Sequence, residues 1–258
     1  MKQLIIIFYF LFTTNLVFAQ PYIHAHNDYQ QPQPLVHAIE NKVFSLEADL
    51  FLVKGKLRVA HDKKELDAAP KLKSLYLKPI IKLFKKHRGR ISADSAYAPV
   101  LMLDIKQDGA AVIAAIVKAV KNHRQVFDRN VNPMAVQIVI SGDRGVFGQW
   151  TSYPSYIFFD GRPHENYDAA TLQRVAFISD AYKHYAKPAD STAYKLQQLS
   201  AQVHQQNKLL RVWGMPDDYA SWKQQMQWGI DIINTDKVFD CKAFFNSKFK
   251  SQNSKSYH

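Results

Sequence analysis

The chain has a single cysteine, Cys241, so no disulfide can form within it. Its fold must rest on an ordinary apolar core, which 258 residues can build without covalent staples. After the first residues it has no long apolar run, so no later stretch reads as a membrane span. It is short of acids. The 22 Asp and Glu against 34 Lys and Arg leave a formal charge of +12. That excess favours anionic surfaces such as phospholipid headgroups or polyanionic glycans. The basic crowding at residues 71–90 and after Lys242 also reads more simply as solvated helix faces. No nucleic-acid motif accompanies the charge, so nucleic acid is not an expected partner. Internal repeats and an interdomain linker are also missing, which points to one domain, and a monomer is the expectation.

The chain opens as a secretory signal would. Lys2 supplies the positive start, residues 4–12 an apolar run, and Val17-Phe18-Ala19 a cleavage site before Gln20. A secreted or periplasmic protein is therefore expected. Residues 1–19 would be the leader, 20–245 the folded domain, and 246–258 a basic, mobile tail. The tail and the overall charge allow peripheral contact with an anionic membrane.

Within 20–245, apolar runs alternate with amphipathic stretches. Eight strands are expected at 22–26, 44–53, 100–106, 136–141, 156–160, 175–179, 209–213 and 230–234. Runs such as Val136-Gln137-Ile138-Val139-Ile140 are apolar almost throughout, as strands of a parallel sheet covered on both faces must be. Helical spacing marks residues 110–122, 191–206 and 217–228, the last capped by Asp217 or Asp218. The alternation predicts an α/β fold, a (β/α)8 TIM-type barrel, with a doubly wound open sheet as the competing topology.

In such a barrel, chemistry gathers at the C-terminal ends of the strands. The first strand ends His26-Asn27-Asp28, and the second carries Glu47 and Asp49 on one side. A short hairpin through Lys54-Gly55-Lys56 returns to His61-Asp62, and the third strand ends Asp104-Ile105-Lys106. Three carboxylates on neighbouring apolar strands repel one another unless a cation lies between them. Hard oxygen ligands suit Mg²⁺ or Ca²⁺.

The order His, Glu-x-Asp, His-Asp, acid-x-Lys resembles the superfamily of glycerophosphodiester phosphodiesterases and phosphatidylinositol-specific phospholipases C, and is similar to sphingomyelinase D. The match spans most of residues 22–106, with a weaker echo in Arg211-Val212-Trp213 and at 229–236. The resemblance implies a metal-dependent phosphoric diester hydrolase acting on a small-molecule or lipid phosphodiester. It implies Glu47, Asp49 and Asp104 as ligands of the divalent cation, His26 and His61 as general acid and base, and Lys106 as the cation on a phosphoryl oxygen. Trp213 would line the pocket, and Asn27 would stand beside the phosphate. Glycerophosphodiesterases begin His-Arg-Gly and continue Pro-Glu-Asn. Here the residues are His26-Asn27-Asp28 and Pro32-Gln33-Pro34-Leu35, so the resemblance does not by itself imply a glycerol headgroup. The short stretch from His61 to Leu72 leaves little room for an inserted cap, and an open mouth is expected.

Two other readings compete. His24-Ala25-His26 resembles the H-x-H pair with which amidohydrolases and related metal-dependent phosphoesterases bind a transition metal, although it leaves Glu47, Asp49, His61 and Lys106 unused. A non-catalytic barrel that binds anionic lipid or glycan would suit the charge but has no need of the histidine pair. Asp160, His164, Ser179 and Asp180 follow later strands and are secondary candidates for substrate contact.

Overall fold

The computed structural model describes residues 20–255. The expected leader and residues 256–258 lie outside the described residues.

All eight expected strands form: β1 (Tyr22–Ala25), β2 (Ser45–Val53), β4 (Val100–Ile105), β5 (Gln137–Gly142), β6 (Ile157–Gly161), β7 (Val175–Ala181), β8 (Leu210–Trp213) and β9 (Ile232–Thr235). They run parallel in the order β1-β2-β4-β5-β6-β7-β8-β9, and β9 pairs back onto β1. That closure makes a TIM-type barrel and excludes the open sheet. β3 (Lys56–Val59) is the return arm of the expected hairpin, antiparallel to the far end of β2.

Helices follow the strands because the chain must cross back over the barrel before each new parallel strand. The principal ones are α1 (Val36–Glu40), α2 (Lys78–Lys86), α3 (Gly109–Val120), α6 (Thr192–Gln205), α7 (Tyr219–Gln227) and α8 (Val238–Lys255), with two single turns, α4 (Arg124–Phe127) and α5 (Ala169–Leu172). Of the two candidate caps for α7, Asp218 accepts from Ser221 N–H. Asp217 instead takes Thr235 Oγ1 at 2.6 Å and Trp222 Nε1 at 2.9 Å, which ties α7 to the end of β9. The segment read as a tail from residue 246 is continuous with α8, which runs to Lys255. Among the described residues, no helix is long and apolar enough to cross a membrane.

Strand alternation divides the side chains. Leu46, Ala48, Leu50, Leu101, Leu103, Ile138 and Ile140 face outward and pack under the helices in the main core. Val100, Met102, Val139, Phe177 and Ile232 fill the lower barrel interior. Above them the interior turns polar. Asp160, fully buried, accepts from Ser141 Oγ at 2.9 Å and from Ser179 Oγ at 2.5 Å. Arg211 donates to Ser179 Oγ (3.1 Å), Asn234 Oδ1 (2.7 Å) and Asp160 Oδ2 (3.4 Å). Burial would raise the Asp160 pKa, but Arg162 and Arg211 hold it below the ordinary value. This network is a polar floor carried on five strands, β5 to β9. Asp160 and Ser179 are spent within it, which corrects the expectation that they touch substrate. Asp180 is likewise engaged, by His184 Nδ1 (2.8 Å) and Tyr185 OH (2.6 Å).

One backbone position bears directly on the mouth. Gly142 ends β5 at φ +69°, and a Cβ there would lie 2.3 Å from Ile105 O and 2.7 Å from Asp104 Oδ1. Gly142→Ala should therefore strain the left-handed backbone and push β4 away, costing on the order of 1–3 kcal/mol. Urea denaturation checks this, and an unchanged midpoint would refute the close packing of β4 on β5.

Candidate active site

Pairing of β2 with β4 sets Asp49 directly opposite Asp104. Glu47, one pleat deeper on β2, points the same way. One carboxylate oxygen from each of the three lies within 4.8 Å of the others. Asp49 is fully buried, and its Oδ2 is crowded. That oxygen accepts from Lys106 Nζ (2.7 Å), His61 (2.8 Å through Nδ1) and Tyr29 OH (3.0 Å). Its other oxygen, Oδ1, is buried with no partner. An orphaned carboxylate oxygen inside a triad of acids is what a divalent cation satisfies, so the donor set fits Mg²⁺ or Ca²⁺.

The electrostatics agree. Burial and the charge of Glu47 raise the Asp104 pKa, while Lys106, 2.6 Å from Asp104 Oδ2, opposes the rise. Burial disfavours the Lys106 ammonium, yet Asp104 and Asp49 raise its pKa overall. The lysine is thus a fixed cation between two strands.

The histidines divide into a pair at the mouth and one beneath it. His24 is fully buried. Its Nδ1 lies 2.6 Å from Ser45 Oγ and its Nε2 2.8 Å from Glu47 Oε2. Burial and then Arg211 hold its pKa well below the ordinary value, and its Nε2 contact orients Glu47. With both nitrogens taken by protein groups, His24 has none left for the transition metal of the H-x-H reading. His26 contacts Asp236 Oδ1 at 2.9 Å through Nδ1, which leaves Nε2 for the mouth. His61 is tethered through Nδ1 to Asp49, and its backbone N–H donates to Glu65 Oε2 at 2.9 Å, next to the capping box that Asp62 and Glu65 form. The side chains of His26 and His61 are 33 % and 50 % exposed, so the mouth is open.

Each residue picked out from the sequence lies at this end of the barrel. Asn27, in the left-handed region at φ 45°, stands with its amide 3.4 Å from His26 Nδ1. Trp213 ends β8 with the guanidinium carbons of Arg162 and Arg211 at 5.0 and 5.6 Å from its ring centroid. Sequence reasoning missed Tyr29, Arg162 and the pairing of Asp236 with His26. Arg162 and Asp236 directly follow the ends of β6 and β9, and that position was the available signal.

A barrel with an acid triad, an adjoining lysine and two carboxylate-anchored histidines at its C-terminal mouth defines the class of barrel phosphodiesterases. The chain belongs to the AIM6-like phosphodiesterase domain family, which matches over residues 13–160 and so takes in the triad, Lys106 and both mouth histidines. It is a phosphodiester hydrolase by that membership. Among similar proteins, the altered inheritance of mitochondria protein 6 homolog of Arthroderma benhamiae is 22 % identical over 261 residues, covering 86 % of this chain and 83 % of the relative. Altered inheritance of mitochondria protein 6 of Kluyveromyces lactis is 23 % identical, covering 87 % and 72 %. In fold the chain is similar to a glycerophosphodiester phosphodiesterase from Parabacteroides distasonis, with TM-score 0.60 and 14 % identity over 89 % of this chain and 98 % of that one. A second such enzyme, from Agrobacterium tumefaciens, gives TM-score 0.52 at 13 % identity, over 86 % and 99 %.

The His26–Asp236 contact has a checkable consequence. Burial lowers the His26 pKa, but the hydrogen bond to Asp236 and the charge of Glu47 outweigh it, and the net shift is upward from 6.5. Asp236 is shifted down from 3.8, chiefly by that same hydrogen bond. The stability His26 contributes is full below 6.5 and is lost as pH rises through its higher folded value. The share from Asp236 is present above 3.8 and is lost as pH falls through its lower folded value. Asp236→Asn should therefore lower the His26 pKa in an NMR titration of the imidazole Cε1 proton. An unmoved titration would show that Asp236 does not set it.

Proposed function

We propose that the chain is a divalent-metal-dependent phosphoric diester hydrolase acting on glycerophosphodiester or phospholipid-like substrates. The observation that carries this reading is the buried, partnerless Asp49 oxygen within a carboxylate triad, beside two histidines that each spend Nδ1 on a carboxylate.

Glu47, Asp49 and Asp104 would hold the cation. When bound, it supplies positive charge that stabilises the oxygens of the phosphoryl group in the transition state. The remaining work falls to side chains. Lys106 places its ammonium against a non-bridging oxygen, where negative charge grows during displacement. His26, with a raised pKa, keeps its proton to higher pH and suits donation to the leaving oxygen from Nε2. His61 accepts the proton of the attacking hydroxyl through its own Nε2. Trp213 offers an apolar face to the substrate beyond the phosphate.

The open mouth and the charge of +12 support a lipid-like diester met at an anionic membrane. The leader-like residues 1–19 support export, so the enzyme would work outside the cytoplasm.

His26→Ala or His61→Ala should lower turnover by about two to four orders of magnitude. The assay is phosphorus NMR on glycerophosphodiesters, lysophospholipids, phosphatidylinositol and sphingomyelin, with Mg²⁺ or Ca²⁺ and again with chelator. Product resonances that persist in the chelated sample would exclude the metal. Near-normal turnover in either variant would remove that histidine from the mechanism. Glu47→Gln with Asp49→Asn should abolish Mg²⁺ binding by calorimetry, and retained affinity would refute the ligand assignment.

A further inference from the structure

Three arginines line the barrel wall at and below the mouth, and two of them are used up. Arg144 donates from both terminal nitrogens to Glu165, at 3.0 and 2.8 Å, and to Asp160 O at 2.7 Å, while its Nε is buried. Arg211 spends Nε, Nη1 and Nη2 on Ser179, Asn234 and Asp160 in the floor. Arg162 is different. Its Nη1 alone is anchored, by Asp160 Oδ2 (2.9 Å), Gly161 O (2.9 Å) and Asp160 O (3.3 Å). Among the described residues neither Nε nor Nη2 makes a hydrogen bond, and neither is buried as an orphan.

The guanidinium is held in place nevertheless. Its carbon lies 5.0 Å from the Trp213 ring centroid, and its side chain is 14 % exposed. The loop that carries it is pinned, because Arg162 N–H donates to Tyr167 OH (2.8 Å) and Glu165 Oε2 (3.1 Å). The charge of Asp104, a member of the acid triad, also acts on it. A planar cation fixed along one edge, with its other donors open beside a phosphodiesterase site, is built to grip a phosphate with two hydrogen bonds.

We propose that Arg162, directly after the end of β6, is the phosphate-binding guanidinium of this site. The assignment rests on the phosphodiesterase reading. Arg162 grips a non-bridging phosphoryl oxygen while Lys106 meets another, and Trp213 keeps the guanidinium plane in register.

The test is calorimetric titration of the full chain with inorganic phosphate in the presence of Mg²⁺, together with kinetics on bis(4-nitrophenyl) phosphate. Arg162→Gln should weaken phosphate binding about ten- to a hundredfold, the loss of charge-assisted hydrogen bonds. It should raise KM more than it lowers kcat and leave Mg²⁺ affinity unchanged. Arg162→Lys keeps the charge beside Asp160 but not the fork. It should fall between the two, and it carries the test should the glutamine variant fail to fold. Phosphate binding by either folded variant as tight as that of the unmodified chain overturns the assignment alone. An unmodified chain that neither binds phosphate nor cleaves the diester overturns the phosphodiesterase reading with it.

Discussion

The structure depends on the register of β2 against β4, which sets Asp49 against Asp104 with Glu47 one pleat below. Like charges this close, in a place water scarcely reaches, repel one another unless cations answer them. One answer is permanent, the Lys106 ammonium between Asp49 and Asp104. Another is the cation that the orphaned Asp49 oxygen invites. His61 and Tyr29 close on the same carboxylate from the hairpin and from the turn after β1. Much of the mouth is thus assembled around one buried aspartate.

Such a mouth needs a floor that is polar yet complete. Apolar side chains fill the lower barrel, but directly beneath the acids lie Arg211, Asp160, Ser141, Ser179 and Asn234, each hydrogen-bonded to another. A buried ion pair adds little net stability against an apolar core, whereas removing one partner strands a charge at a cost of about 3–5 kcal/mol. The floor is better understood as a positioning device. Arg211 holds the Asp160 charge steady, Asp160 anchors Arg162, and His24 steers Glu47 from below. Rigid support of this kind keeps reactive groups aimed.

Strands, barrel closure as the favoured topology, and the triad were legible in the chain because each rests on local pattern. Near-continuous apolar runs mark strands covered on both faces, and period-two alternation puts Glu47 with Asp49 and Asp104 with Lys106 on one side. Ser141, Ser179 and Asp160 were equally visible as polar residues late in strands. Pattern could not tell whether they met solvent or one another, and they proved to be floor.

The sequence by itself determined the alternating architecture, and it placed three acids on strands and two histidines near strand ends, since strand period and residue order are properties of neighbours along the chain. Tertiary structure alone decided the partners. Asp236 reaches His26 across 210 residues because β9 closes on β1, and Arg162 meets Trp213 because the ends of β6 and β8 share one rim. The His24 pKa is pushed down because closure buries the ring, beside Arg211. Local pattern says which way a side chain points, while closure of the barrel decides what it meets there.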